Sequence, residues 1–232
     1  MRVTYCIPTH GGNVKCQQYL FDILYALDKQ TNKNFDVVIS DQCDISDSRI
    51  AECVRDYIDV LNIEYRRCET KLGNISHATN QALAMATGEI KKIMFSDDFI
   101  LTDNLTEELD KAFTPDVQWC VSGFAHTLDD GKNHYNPKLP VYNDRLLEGV
   151  NTLSSPSILA LRGDLDIQFD ENLTMLMDCD MYYRLYKYHG EPAVLQDYHI
   201  SNREHAYQTQ RNKDYNDLIP EEIEYLKKKH SL

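Results

Sequence analysis

Residues 90–103 read IKKIMFSDDFILTD. A short apolar run, Ile93-Met94-Phe95, breaks off at Ser96-Asp97-Asp98, and an apolar pair, Phe99-Ile100, follows. Adjacent carboxylates repel, and burying either one without a partner is costly enough to drive it toward protonation. The pattern marks a strand that ends at a polar site, where something cationic is expected.

The segments before it share one rhythm. RVTYCI (2–7) is short, β-branched and aromatic, and reads as a strand stopped by Pro8. VKCQQYLFDILYALDKQ (14–30) carries Tyr19, Leu20, Ile23, Leu24 and Leu27 at helical spacing. FDVVIS (35–40) is a second strand ending at Asp41, and SDSRIAECVRDYID (46–59) a helix with a Ser N-cap. NIEYRR (62–67) is a weaker, alternating strand, and NISHATNQALAMATGE (74–89) an Ala-rich helix closed by Gly88. KKIMF (91–95) completes the series. Strands alternating with helices at this spacing predict an α/β fold, a mostly parallel sheet with helices on both faces.

The second half is less regular. NLTEELDKAF (104–113) and MDCDMYYRLYKYHG (177–190) read as helices, and VQWCVSGF (117–124) and SILALRG (157–163) as strands. Residues 125–151 mix Gly, Pro, Asn and Asp with aromatics and show no periodicity, which predicts a long functional loop. The tail IPEEIEYLKKKHS places Pro at a helix start, Glu in the first turn and Lys in the last.

Composition narrows the classes. The 232 residues carry a net charge of −13, which argues against a binder of long nucleic acid. The cysteine count is odd, seven, and no CxxC pair occurs, so neither a disulfide framework nor a zinc site is expected. No stretch has the length of a membrane span and the chain opens without an apolar leader, so a soluble, cytoplasmic protein is expected.

In open parallel sheets, ligands bind beyond the carboxyl ends of the strands. The predicted strands end at Pro8-Thr9, at Asp41 and at Asp97-Asp98, and Asp178 and Asp180 open a later helix. Carboxylates gathered on one rim need a cation. A divalent metal together with a diphosphate accounts for the set, because Mg²⁺ or Mn²⁺ takes one or two carboxylates and completes its shell with substrate phosphates.

The ordered series YCIPTHGG, VVISDQCD, GNISHATNQALAMATGEIKKIMFSDDF, SSPSILALRG and MDCDMYYRL resembles the family 2 glycosyltransferases of the GT-A fold. The likeness runs over about residues 2–190. It implies a single GT-A domain over 1–232. Within it, 1–100 would bind a nucleotide-sugar, 101–200 the acceptor, and 201–232 would form a C-terminal loop and helix. It further implies that Pro8, Thr9 and Asp41 hold the base and ribose of a UDP-sugar. Asp97 and Asp98 would bind Mn²⁺ or Mg²⁺ on the diphosphate, and Asp178 would act as catalytic base with Asp180 close by.

His199 or His205 would complete the metal shell, and Lys71, Arg203 and Arg211 would meet the phosphates. Phe95, Met177 and Thr79 depart from the family pattern, which has two acids and an Arg at these positions. The activity implied is inverting, metal-dependent sugar transfer to a glycan, a protein or a hydroxylated small molecule or nucleobase. The rivals are a sugar nucleotidylyltransferase and a GT-A-fold protein that binds nucleotide-sugars without catalysis.

Overall fold

The computed structural model describes residues 1–10, 14–43, 50–68, 70–71, 73–128, 131–205 and 217–231. The first half alternates as predicted: β1 (Val3–Thr9), α1 (Val14–Asp28), β2 (Phe35–Asp41), α2 (Ile50–Arg55), β3 (Ile63–Arg67), α3 (Ile75–Met85) and β4 (Ile90–Ile93). Then come β5 (Phe99–Ile100), α4 (Leu105–Ala112), β6 (Trp119–Leu128), β7 (His134–Lys138) and β8 (Leu159–Arg162). α5 (Met177–His189), β9 (Ala193–Glu204) and α6 (Ile219–Lys229) close the chain.

The strands form one mixed sheet in the order β3-β2-β1-β4-β8-β6-β9-β5, with β7 added beside β6. β1 pairs in parallel with β2 and β4, and β2 with β3; from β4 outward the β8, β7 and β5 pairings are antiparallel. Every residue of β1 and β2 is buried, as expected for central strands covered on both faces. β3, at the sheet edge, alternates in exposure, which explains its weaker sequence signal.

Pro8 does not stop β1, which runs on to Thr9. Cys6, of the same parity, directs its carbonyl to Met94 on the β4 side, where the β4 ladder has already ended at Ile93. The missing N–H of Pro8 therefore costs no ladder bond. Gly88 does not cap α3, which ends at Met85 with Ala86 extended. Gly88 instead lies against the backbone of Arg2 and Thr4, where a side chain would collide.

The helix expected over 46–59 is seen as α2, and its Ser46 cap lies outside the described residues. The long loop expected over 125–151 is partly strand: β6 continues to Leu128, and β7 pairs with it. β7 is exposed at every residue, so no hydrophobic alternation announced it. β9, twelve residues long, was not expected as a strand either. Its parallel pairing with β6 shifts register twice around Gly123, where the Asp197 carbonyl passes too close for a side chain. That bulge breaks the period of two. Among the described residues, no helix is long and apolar enough to cross a membrane.

The antiparallel seam between β4 and β8 depends on Gly163. Its N–H donates to the Glu89 carbonyl at 2.7 Å, and a Cβ there would strike the Gly88 carbonyl and the Glu89 backbone. Gly163→Ala is expected to destabilise the fold by about 2 kcal/mol and to lower the melting midpoint by about 4–8 °C. An unchanged melting curve would contradict this close approach.

Candidate active site

The two carboxylates expected at the end of strand 91–95 lie in the turn between β4, which ends at Ile93, and β5, and they have opposite fates. The turn closes with an Asp98 N–H to Phe95 carbonyl bond of 3.1 Å, which sends Asp98 inward, 4% exposed. Its carboxyl accepts the Ser155 hydroxyl at 3.0 Å and the Arg203 backbone N–H at 3.1 Å, with the Ser157 hydroxyl beside it. Burial, reinforced by the neighbouring Asp97 charge, raises its pKa well above the ordinary carboxylate range. Asp97 stays 35% exposed, and its Oδ2 lies 3.0 Å from His205 Nε2.

Asp178 sits in the first turn of α5, half-buried. Its Oδ1 accepts the Cys179 N–H at 2.7 Å and its Oδ2 the Asn151 amide at 2.8 Å. Burial outweighs these bonds and pushes the carboxyl up to about 6. The chain entering α5 is held from outside: Glu222 of α6 accepts the backbone N–H groups of Thr174, Met175 and Leu176 at 2.8–3.2 Å. A carboxylate at the start of α5 satisfies donors the helix cannot and matches its positive end.

Asp97, Asp98, Asp178 and His205 line one cavity of about 1590 Å³, with Pro8 and Thr9 at the end of β1. Single small-molecule sites enclose roughly 300–1,000 Å³, so this cavity has room for two substrates. The Thr9 hydroxyl is buried on its wall with no hydrogen-bond partner among the described residues, as a ligand-facing group would be. Phe95 and Met177 also line it, so apolar surface stands at the two positions where the family pattern has acids.

The remaining sequence candidates lie elsewhere. Asp41 is fully buried, its carboxylate accepting Tyr65 Oη at 2.7 Å and the Cys43 N–H at 2.9 Å, so it shapes the turn after β2. Asp180 is fully buried among Arg184 (2.8 Å), Lys229 (2.9 Å) and His230 (2.8 Å), and does not join Asp178 at the cavity. Lys71 is exposed and paired with Glu171. The Arg203 guanidinium is wedged between the Tyr19 and Phe99 rings, 3.9 and 3.8 Å from their centroids, and bonds Asp22 at 2.7 Å. It thus stiffens the wall behind Asp97 instead of facing the cavity.

His199 is buried beside Thr102, 2.6 Å from its hydroxyl, on a separate small cleft against α4. Arg211 lies outside the described residues. The sequence did not single out Asn151, Lys138 or Glu204, all of which line the cavity, and Ser155 entered only as part of SSPSILALRG. The only signal was the run of small polar residues NTLSS at 151–155, which looks like any loop.

Among the described residues, no group of three or more His, Cys, Asp or Glu side chains could hold a metal by itself. Asp97 and His205, side by side on the cavity, fit an ion that draws its other ligands from substrate oxygens. Asp98, with its oxygens already engaged, supports that pair from behind.

A family model described as Glycosyl transferase family 2 matches residues 4–169. The crystal structure of S. aureus TarS is similar at 22% identity with a TM-score of 0.68, covering 96% of this chain and 39% of that one. S. aureus TarS 1–349 in complex with UDP-GlcNAc matches at 21% identity and TM-score 0.68, over 96% of this chain and 66% of that chain. The Pyrobaculum calidifontis mannosyltransferase PcManGT, in complex with GDP-Man and Mn²⁺, matches at 17% and 0.56, over 88% and 56%. At these identities the likeness concerns the fold, and this chain spans about two fifths of full TarS. The search of curated proteins gives no match.

The Asp180 cluster ties α6 to α5, so Asp180→Ala strands Arg184, Lys229 and His230 around a buried gap. It is expected to cost about 3 kcal/mol in denaturant unfolding. An unchanged midpoint would mean that α6 is not held through this carboxylate.

Proposed function

The chain belongs to glycosyl transferase family 2, and on that premise we propose that it moves a sugar from a UDP-sugar to an acceptor hydroxyl with inversion, in a divalent-metal-dependent reaction. The observation that carries the reading is the meeting of Asp97, His205 and Asp178 on one cavity large enough for donor and acceptor together. The nucleotide preference is supported by the TarS complexes with UDP and UDP-GlcNAc, and the metal by the Mn²⁺ complex of PcManGT.

In this reading residues 1–100 supply the nucleotide side. Pro8 and Thr9 border the base and ribose, and the unpartnered Thr9 hydroxyl gains a bond from the ligand. Asp97 and His205 hold the cation, which when bound neutralises charge on the leaving diphosphate. The acceptor half supplies Asp178. Its carboxylate takes the acceptor's hydroxyl proton as the oxygen attacks the anomeric carbon; the C–O bond to the diphosphate breaks on the opposite face, and UDP leaves. A single displacement inverts the centre and needs no covalent intermediate. The cavity walls hold the two substrates in line, which is where most of the rate arises when the protein contributes position more than bonds. The acceptor is a glycan, a protein or a hydroxylated small molecule or nucleobase.

Asp178 works only as the carboxylate. With its pKa raised to about 6, it is protonated and inactive in acid, and turnover rises with pH to half its plateau near that value. The same shift means the folded state holds this proton more tightly than the unfolded chain, so Asp178 contributes less stability as pH climbs from the ordinary carboxylate range to about 6. UDP release from UDP-sugars is expected to follow that rising limb, and Asp178→Asn to lower it about 10²–10⁴-fold with nucleotide binding kept. A pH-independent rate, or an active Asp178→Asn, would refute the assignment of the base.

A further inference from the structure

Asn151 touches Asp178, yet no feature of the sequence distinguished it. Its amide cannot turn over. Oδ1 accepts two backbone N–H groups, from Leu153 at 2.8 Å and Ser154 at 3.2 Å. Flipping the amide would set an NH₂ against both donors. Nδ2 is thereby fixed toward the Ser154 carbonyl at 2.9 Å and Asp178 Oδ2 at 2.8 Å. One side chain therefore holds both the N–H and the carbonyl of Ser154, which has a φ of 144° that L-residues rarely adopt.

The strap continues beyond that residue. Asn202 of β9 donates to the Ser154 hydroxyl at 2.6 Å, and its Oδ1 lies 3.1 Å from Ser155 Oγ. The Ser155 hydroxyl also reaches Asp98, and its carbonyl accepts Tyr182 Oη of α5 at 3.0 Å. Residues 151–155 thus link α5, β9 and the turn after β4 by side-chain hydrogen bonds.

We infer that Asn151 is a positioning residue for the Asp178 base, an obligate donor that fixes the carboxylate's orientation and favours its ionised form. The inference rests on the reading of Asp178 as the base. The strained backbone at Ser154 is the cost of aiming that amide, and the strap keeps it aimed. The titratable groups against Asp178 are the Cys179 thiol on its own helix and the Tyr182 hydroxyl one turn on; burial raises both, so both are uncharged near neutrality. Asp97, Asp98, Glu204 and His205 line the same cavity. Asn151 is the side-chain amide bonded to Asp178, so its replacement acts on the carboxylate directly.

The test is UDP release from a UDP-sugar between about pH 5 and about pH 9, for wild type, Asn151→Asp, Asn151→Ser and Asp178→Asn. Asn151→Asp keeps the shape and both backbone donors while setting an oxygen against Asp178 and the Ser154 carbonyl. Its rising limb is expected to move alkaline by about one unit or more, with turnover near pH 6 down about fivefold or more and recovering at high pH. Asn151→Ser, which removes the amide without adding charge, is expected to move the limb the same way by less. The donor KM should stay within about twofold in both.

A fall of equal size at every pH, an unmoved limb, or loss of folding in both variants by circular dichroism would give Asn151 a purely structural role and overturn the inference. A wild type without turnover, or an Asp178→Asn variant that retains it, would overturn the underlying reading of the base instead.

Discussion

The buried carboxyl of Asp98 is the constraint around which the site is built. It lies in the turn between β4 and β5, yet its partners come from β9, through the Arg203 N–H, and from the strap before β8, through Ser155. The Lys92 ammonium, fully buried in β4, bonds the Ser157 carbonyl just beyond that strap and the Ile93 carbonyl at 2.9 Å. Desolvation lowers that ammonium to about 7, against the nearby Asp98 charge that favours its protonated form. These bonds explain the adjacent pair in the sequence. One aspartate turns inward to join three segments, and in doing so presents the other, Asp97, to the cavity beside His205.

The second anchor comes from the far end of the chain. Glu222 takes up backbone donors just before α5, and Asp180 inside α5 receives Lys229 and His230 from α6. The helix that presents Asp178 is thus fixed at its start and one turn in, both times by α6. The proposed base is therefore placed by residues that never reach the cavity. A rigid scaffold around a desolvated carboxylate raises its pKa toward working pH, at some cost in stability.

The parallel half of the sheet was readable because its strands are buried on both faces and its helices carry regular apolar spacing; Leu20, Ile23, Leu24 and Leu27 of α1 are all fully buried. β7 and β9 were not readable. β7 pairs at the surface with nothing to bury, and the register shifts in β9 destroy the alternation that would have marked it as a strand. The carboxylates show the same limit. Strand and helix ends could be located, but where a side chain turns is decided by partners remote in sequence, such as Tyr65 for Asp41 and Lys229 for Asp180. Arg203 looked available for phosphates until Tyr19 and Phe99 closed over it. Asn151 needed the folded chain to bring its strap against α5.

The most direct measurement is a calorimetric titration of UDP into the wild type and Asp97→Asn, each with and without Mn²⁺. The account predicts that Mn²⁺ tightens UDP binding at least about tenfold in the wild type, or about 1.4 kcal/mol, and that Asp97→Asn removes the gain while leaving the fold intact. UDP that binds equally well without metal, or a metal effect that survives in Asp97→Asn, would contradict the assignment of Asp97 and His205 as the place where nucleotide and cation meet.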